Sequence, residues 1–170
     1  MAITLSPAQL LTLKTAINAN PTWAAHPMTS DGFNNLAILL NQQASPQFTV
    51  WKTVITAQQV GQAMNSNELA GLATANTNRL QVLAAFSGGS FNPSMSDFRA
   101  GMDNIFSGAG GVITRAQLLA LYKRFATSFE KIFAVGTGSD ASPANMPTAD
   151  GARWFADTWP SGARWPSRRC

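Results

Sequence analysis

The feature that most constrains the fold is a long helical pattern over residues 113–134. Its large apolar residues recur at steps of three and four, which places them along one face of a helix. These residues are Leu118, Leu121, Tyr122, Phe125, Phe129, Ile132 and Phe133. A threonine followed three residues later by Gln or Glu is the pattern of a capping box, and it occurs at Thr114 and again at Thr127. The stretch is therefore either one helix or two helices that meet at a bend near Ala126.

Other start and stop signals divide the rest of the body into short helices. Ser6 with Gln9 has the pattern of a capping box, and Pro7 suits the first helical position, so a first helix is predicted to start there. Thr56 with Gln59 has the same pattern and predicts another start further along. Residues 48–55 are rich in β-branched and aromatic side chains, and they form either a strand or an extended connector. The sequence therefore predicts an all-α fold, a compact bundle of about six to eight short helices that makes up a body over residues 1–134.

The chain changes character at residue 135. From there to residue 170 Gly and Pro recur, the helical period is lost, and three of the five tryptophans appear. We therefore expect an extended, irregular C-terminal arm over residues 135–170. A Trp-rich segment without helical pattern needs a surface to lie on, so we interpret the arm as an interface, with a disordered tail and a binder of single-stranded nucleic acid as alternatives. The candidate interface residues are Trp154, Trp159, Trp165, Arg153, Arg164, Arg168 and Arg169.

The chain carries unusually little charge. Charged residues make up 12 % of it, which is about half the usual share. Because charge keeps soluble monomers apart, so neutral a surface indicates obligate assembly, with a bland monomer as the alternative. The net charge of +4 is weighted towards the arm, and the body has no cluster of Lys or Arg, so the sequence indicates nucleic acid as a partner only weakly.

The sequence offers little material for catalysis or for a metal ion. Its one histidine, His26, has Asp31 as its acidic neighbour in sequence, and no nucleophile-elbow pattern occurs. Residues 108–111 are rich in glycine and precede a predicted helix, but they lack the strand and the Lys-Ser/Thr of a phosphate loop. Cys170 is a single cysteine, so it forms no intrachain disulfide. We therefore predict that the protein is not an enzyme, with no catalytic residue, no cofactor and no metal site.

Five motifs resemble a family of small tailed-bacteriophage proteins. They are residues 49–53 (TVWKT), 68–72 (ELAGL), 76–81 (NTNRLQ), 105–111 (IFSGAGG) and 134–144 (AVGTGSDASPA). The resemblance covers roughly residues 3–145, and it implies a virion-associated protein without bringing any catalytic residue. After about Pro147 the Arg-, Trp- and Pro-rich ending departs from the pattern of the family.

The order of a helical body and then an extended arm is similar, at the level of fold, to the head-to-tail adaptor proteins of short-tailed phages. In those proteins a ring of subunits packs helices side by side, and the arms reach into the portal. The similarity implies a ring-forming connector whose partners are copies of itself and the portal and tail proteins of the virion. Another tail or capsid-associated component and a small DNA-binding protein with a basic tail are the alternatives.

Two further patterns bear on where the protein is made. The N-terminus lacks the basic and then apolar pattern of a signal peptide, and no apolar run approaches the length of a membrane span. We therefore expect a soluble protein with no membrane partner, made in the cytoplasm of the host bacterium and located in the virion.

Overall fold

The structure is a computed structural model of the chain, and it describes residues 5–27, 29–86 and 88–146. The described part is mostly helical, with 59 % of it in helices. The α-helices are α1 (Pro7–Ala19), α2 (Pro21–Ala24), α3 (Ser30–Asn41), α4 (Ala57–Gln62), α5 (Ser66–Ala70), α6 (Thr74–Phe86), α7 (Ser96–Ile105), α8 (Val112–Tyr122) and α9 (Ser128–Phe133). The strands are β1 (Thr49–Trp51), β2 (Ile55–Thr56), β3 (Ser90–Phe91) and β4 (Lys123–Phe125). The predicted all-α fold is confirmed as far as the described part is mostly helical, but all-α is not accurate, because the strands form two small sheets. The described residues also form nine α-helices, more than the six to eight that were expected.

The described chain divides into two compact units that alternate along the sequence. The first unit takes the described residues up to Phe48 together with Phe125–Val135, and the second takes Thr49–Arg124 and Gly136–Met146. The first unit therefore contains α1, α2, α3 and α9. The second contains the remaining helices, β1 to β3 and the start of β4.

The core of the first unit is small and entirely apolar. It is formed by Leu13, Ile17, Leu40 and Phe129. Helix α9 supplies Phe129 and packs against both α1 and α3, so it closes the unit over the two longer helices. The short helix is held at its start by a reciprocal capping box, because Thr127 Oγ1 accepts a hydrogen bond from the Glu130 amide at 3.2 Å and Glu130 Oε2 accepts one from the Thr127 amide at 2.9 Å.

The second unit has the larger core, to which α8 contributes two side chains. Leu118 and Tyr122 of α8 point into it, and Phe98 packs against the ring of Tyr122 at a centroid distance of 5.5 Å. The buried members of this core are Trp51, Ile55, Val60, Met102, Ile105, Phe106, Leu118 and Tyr122. The inner face of α8, defined by Thr114, Leu118 and Tyr122, is thus fixed by packing within one unit.

The extended run predicted at residues 48–55 contains two strands, and each has a partner. β1 pairs with β4, and β2 pairs antiparallel with β3 so that Ile55 lies opposite Phe91. The reading of this run as an unpaired connector is therefore wrong. Both partner strands lie far along the chain, so no local pattern of residues reveals them.

The long pattern over residues 113–134 divides into α8, β4 and α9. Of the two interpretations, two helices is the correct one, but a strand separates them where a bend was expected. The capping box predicted at Thr127 is confirmed. The one predicted at Thr114 is wrong, because α8 already begins at Val112 and Thr114 lies inside the helix.

The predicted arm begins with residues that the structure describes. Residues 136–146 bond to the backbone of β1, where the Thr49 amide donates to Gly138 O at 2.7 Å and the Trp51 amide donates to Ala144 O at 3.0 Å. These residues belong to the second unit. The rest of the predicted arm, residues 147–170, lies outside the described residues.

Candidate interaction surface

The residues predicted to form an interface through the arm cannot be placed in the fold. Trp154, Trp159 and Trp165 and the arginines at 153, 164, 168 and 169 all lie outside the described residues. Within the described ranges, no group of three or more His, Cys, Asp or Glu side chains is arranged to hold a metal ion. None of the helices in those ranges combines the length and the apolar character needed to cross a bilayer.

The start of α8 is closed by a carboxylate from a different helix. Glu68 of α5 accepts the Ile113 amide on Oε1 at 2.9 Å and the Thr114 amide on Oε2 at 2.7 Å. Thr114 Oγ1 in turn accepts the amide of Asn65 at 3.1 Å. The first-turn amides of a helix are often free to bind an anion, but here the amides of Ile113 and Thr114 bind the carboxylate of Glu68. The glycine-rich residues 108–111 therefore precede a helix start at which Glu68 already occupies the place of an anion.

The same hydrogen bonds shift the titration of Glu68. Burial by itself raises the pKa of this carboxyl group, but the bonds from Thr114 and Ile113 and the charge of Arg115 outweigh it. The pKa of Glu68 consequently lies below its ordinary value of 4.5. The side chain is an anion at neutral pH, which suits its place at the positive end of the helix dipole.

The loop before α8 binds Arg115, which is the single charged residue of that helix. The guanidinium of Arg115 donates to the carbonyl oxygens of Phe106 and Gly108, the second at 2.9 Å. Gly108 has a φ of 82°, a left-handed conformation that favours glycine. A Cβ at Gly111 would lie 2.0 Å from the carbonyl oxygen of Phe106, so this position also requires glycine. The loop is thereby shaped to hold Arg115 away from the open side of the helix.

The open side of α8 is apolar and uncharged. Val112, Ile113 and Leu119 are 52 %, 50 % and 45 % exposed, and Ala116 and Ala120 are exposed between them. We call this surface the outer face of α8; its members are Val112, Ile113, Ala116, Gln117, Leu119 and Ala120. A solvated helix face normally carries charged or strongly polar residues, and here Gln117 is the polar member. The outer face of α8 is the candidate interaction surface.

Other charged groups of the second unit are also turned towards its own atoms. Lys123 Nζ and Asp140 Oδ1 form an ion pair at 2.9 Å. Arg99 donates to Pro93 O at 2.5 Å, and its guanidinium stacks over the ring of Trp51 at 4.1 Å. These contacts bond charged side chains to atoms of the same unit, while the side chain of Asp140 itself stays 84 % exposed.

The first unit shows the same tendency. Glu130 is buried and forms part of the capping box at the start of α9. Lys131 donates to Pro46 O at 3.4 Å and lies 5.7 Å from the centre of the Phe48 ring. In both units, therefore, several of the few charged side chains form hydrogen bonds or ion pairs with atoms of their own unit.

Tyr122 on the inner face of α8 has an unusual environment that its sequence context did not predict. Its hydroxyl group is buried and has no hydrogen-bond partner among the described residues. Burial raises the pKa of Tyr122 well above its ordinary value of 10.0, and the negative charge of Asp103 raises it further. The phenol therefore stays neutral, and its ring serves the core.

Comparison of the chain with protein-family models, with curated proteins and with solved structures found no match in any of the three. The sequence did contain a signal for the outer face of α8, because Val112, Ile113 and Leu119 make this helix apolar on both sides. Helix α8 also carries Thr114, Arg115 and Gln117, so it is not apolar all round, but its apolar residues extend beyond the single stripe of an ordinary surface helix.

Proposed function

We propose that the protein is a structural protein of a bacteriophage virion whose copies pack side by side, as in a ring-forming connector between head and tail. One observation carries the proposal, namely the apolar and uncharged outer face of α8. An exposed apolar surface in a chain with so little charge is typical of a protein that buries the surface on assembly. The motifs that resemble small tailed-phage proteins support the virion as the place of that assembly.

The magnitudes suit an assembly of many weak contacts. Complete burial of a Val, Leu or Ile side chain contributes about 1.5–3 kcal/mol. Val112, Ile113 and Leu119 are each close to half exposed, so covering them contributes on the order of 1 kcal/mol apiece. In a closed ring every subunit takes part in two such interfaces, so contacts that are modest individually hold the ring together.

Docking of the ring on its neighbours is assigned to residues 147–170 of the C-terminal arm. Tryptophan and arginine are among the side chains that most often anchor protein interfaces, and the arm has three tryptophans and four arginines. In this proposal the body supplies contacts between copies, and the arm supplies contacts to the portal or to the tail.

The number of copies per particle tests the proposal. Quantitative mass spectrometry of intact particles of the source phage is expected to find about a dozen copies, a small number that would point to a single closed ring at the junction of head and tail. Hundreds of copies would replace the connector with a coat or tail-tube component. No copies would contradict the proposal and favour the nucleic-acid alternative, in which the arginines of the arm hold DNA.

A further inference from the structure

We infer that helices α5 and α6 form a strap that opens as one piece while the rest of the second unit stays folded. The strap runs over residues 66–86, and polar contacts of Glu68 and Asn76 latch it in its closed form. The inference concerns a motion within the second unit, so it does not depend on the proposed function.

The strap differs from the neighbouring helices in how little of it is buried. None of residues 66–85 is buried, whereas α7 and α8 each bury two or more side chains. The apolar contacts of the strap with the core are made by leucines that stay partly exposed, namely Leu72, Leu80 and Leu83. Segments with few buried contacts open at a lower free energy than the core around them. Helices of five and 13 residues also have little stability of their own once they are undocked.

Hydrogen bonds to distant parts of the chain supply the specific contacts that close the strap. In α5, Glu68 accepts the amides of Ile113 and Thr114 of α8. In α6, the side-chain amide of Asn76 donates to the carbonyl oxygen of Ile105 in α7 at 2.8 Å. Because Glu68 and Asn76 are both partly accessible to solvent, water replaces the lost bonds when the strap lifts, and the net cost of opening is modest.

Both ends of the strap are anchored, so it opens as a loop and not as a frayed end. Before it, Val60 of α4 is buried in the core of the second unit. After it, Phe91 of β3 pairs with Ile55 of β2. Between α6 and β3, Gly88 and Gly89 have φ angles of 56° and 83°, and glycine adopts such angles without strain. The two glycines therefore suit a pivot next to a fixed anchor.

Opening of the strap uncovers two parts of the second unit together. The amides of Ile113 and Thr114 lose the carboxylate that binds them, and the core beneath the three leucines becomes accessible to solvent. A molecule that binds the open form alone would increase the population of that form. The strap thus gives the unit a second conformation that is available for binding.

Hydrogen–deuterium exchange of the full-length protein, followed by mass spectrometry of its peptides, tests the inference. Relative to their intrinsic rates, the amides of α5 and α6 should exchange at least about 10-fold faster than those of α7. Glu68→Gln changes α5 alone, but it should lower the protection of α5 and α6 alike by about 10-fold, because a strap that opens as one piece breaks both latches together.

A matched pair of changes in α6 tests the second latch. Asn76→Ala leaves the carbonyl oxygen of Ile105 without its donor, so the protection of both strap helices should fall about 10-fold. Asn78→Ala makes the same replacement at an exposed position of the same helix. Since Ala favours a helix more than Asn does, this control should keep the wild-type protection or raise it about twofold. Equal protection in the two variants would contradict the latch at Asn76.

A mild change in the core separates opening of the strap from unfolding of the whole unit. Ile55→Val alters a buried side chain of β2 that stays packed when the strap opens. It should lower the protection of α7 about 5-fold and leave that of the strap unchanged. An equal fall in α7 and in the strap would show that the strap opens only when the unit unfolds, and it would overturn the inference. A fall confined to α5 in Glu68→Gln would overturn it as well, because the two helices would then open separately.

Discussion

The inner and outer faces of α8 are built from the same kinds of side chain, yet the fold buries just one of them. Leu118 is 2 % exposed in the core of the second unit, and its neighbour in sequence, Leu119, is 45 % exposed. Apolar composition therefore does not separate the two faces; packing within the unit does. A helix can thus be apolar on a face that its own unit does not bury, and under the proposed function contact between copies accounts for that face.

The largest expected effect comes from truncating each of the two adjacent leucines. Leu118→Ala leaves a cavity in the core, and we expect it to lower the free energy of unfolding by about 2–5 kcal/mol. Leu119→Ala removes the same atoms from an exposed site, so its effect on the unfolding of the monomer is expected to stay within about 0.5 kcal/mol. Urea denaturation under dilute conditions, where copies are separate, measures both. Equal destabilisation by the two variants would show that the faces are not distinct.

A smaller effect on stability is expected from changing Glu68, which binds the start of α8. Glu68→Gln weakens the bonds to the amides of Ile113 and Thr114, and so it should lower the urea midpoint at neutral pH. Because the folded-state pKa of Glu68 lies below 4.5, its contribution is present above that pH and is lost as the pH falls through the lowered value. The wild type should thus approach the variant in stability as the solution is acidified.

The control for this prediction is Asp97→Asn, which removes an exposed carboxylate from α7. It should leave the neutral-pH midpoint close to that of the wild type. A midpoint difference between the wild type and Glu68→Gln that persists unchanged at low pH would exclude the charge of Glu68 as its cause.

The smallest effect on stability is expected at the hydroxyl group of Tyr122. Since this group is buried without a partner, Tyr122→Phe removes no hydrogen bond, and we expect a change in stability of less than about 1 kcal/mol. Tyr122 is the single tyrosine, so the rise in absorbance near 295 nm that accompanies ionisation of a phenol reports this residue, against a constant background from the five tryptophans. Its raised pKa implies that ionisation lags behind the ordinary value of 10.0 and that stability falls as the pH rises above that value. Ionisation near pH 10.0 in protein that is still folded would show an accessible phenol.

The way each helix begins explains which parts of the fold the sequence could predict. The capping boxes at Ser6, Thr56 and Thr127 join residues three apart, and all three were predicted and are confirmed. The start of α8 depends on Glu68, which lies 45 residues from Ile113 in sequence. No local pattern links the two, so the box predicted at Thr114 was wrong.

The sequence did not reveal the strand pairing either, because the paired strands also lie far apart along the chain. Lys123–Phe125 continues the helical spacing of its surroundings, but it pairs as β4 with β1, and Lys52 donates its amide to Tyr122 O at 2.8 Å. Tertiary pairing has overridden the local preference here. The sequence showed that this stretch has many apolar residues, but the structure was needed to show which of them form the outer face of α8.

The proposed function requires copies of this chain to bind one another, which native mass spectrometry of the full-length protein can reveal. One copy has a mass of 18.1 kDa. We expect discrete species at whole-number multiples of that mass, and we expect Ala116→Glu, which places a charge on the outer face of α8, to return them to the single-copy mass. A wild-type protein found at 18.1 kDa alone, at the highest concentration that stays in solution, would contradict the proposed function.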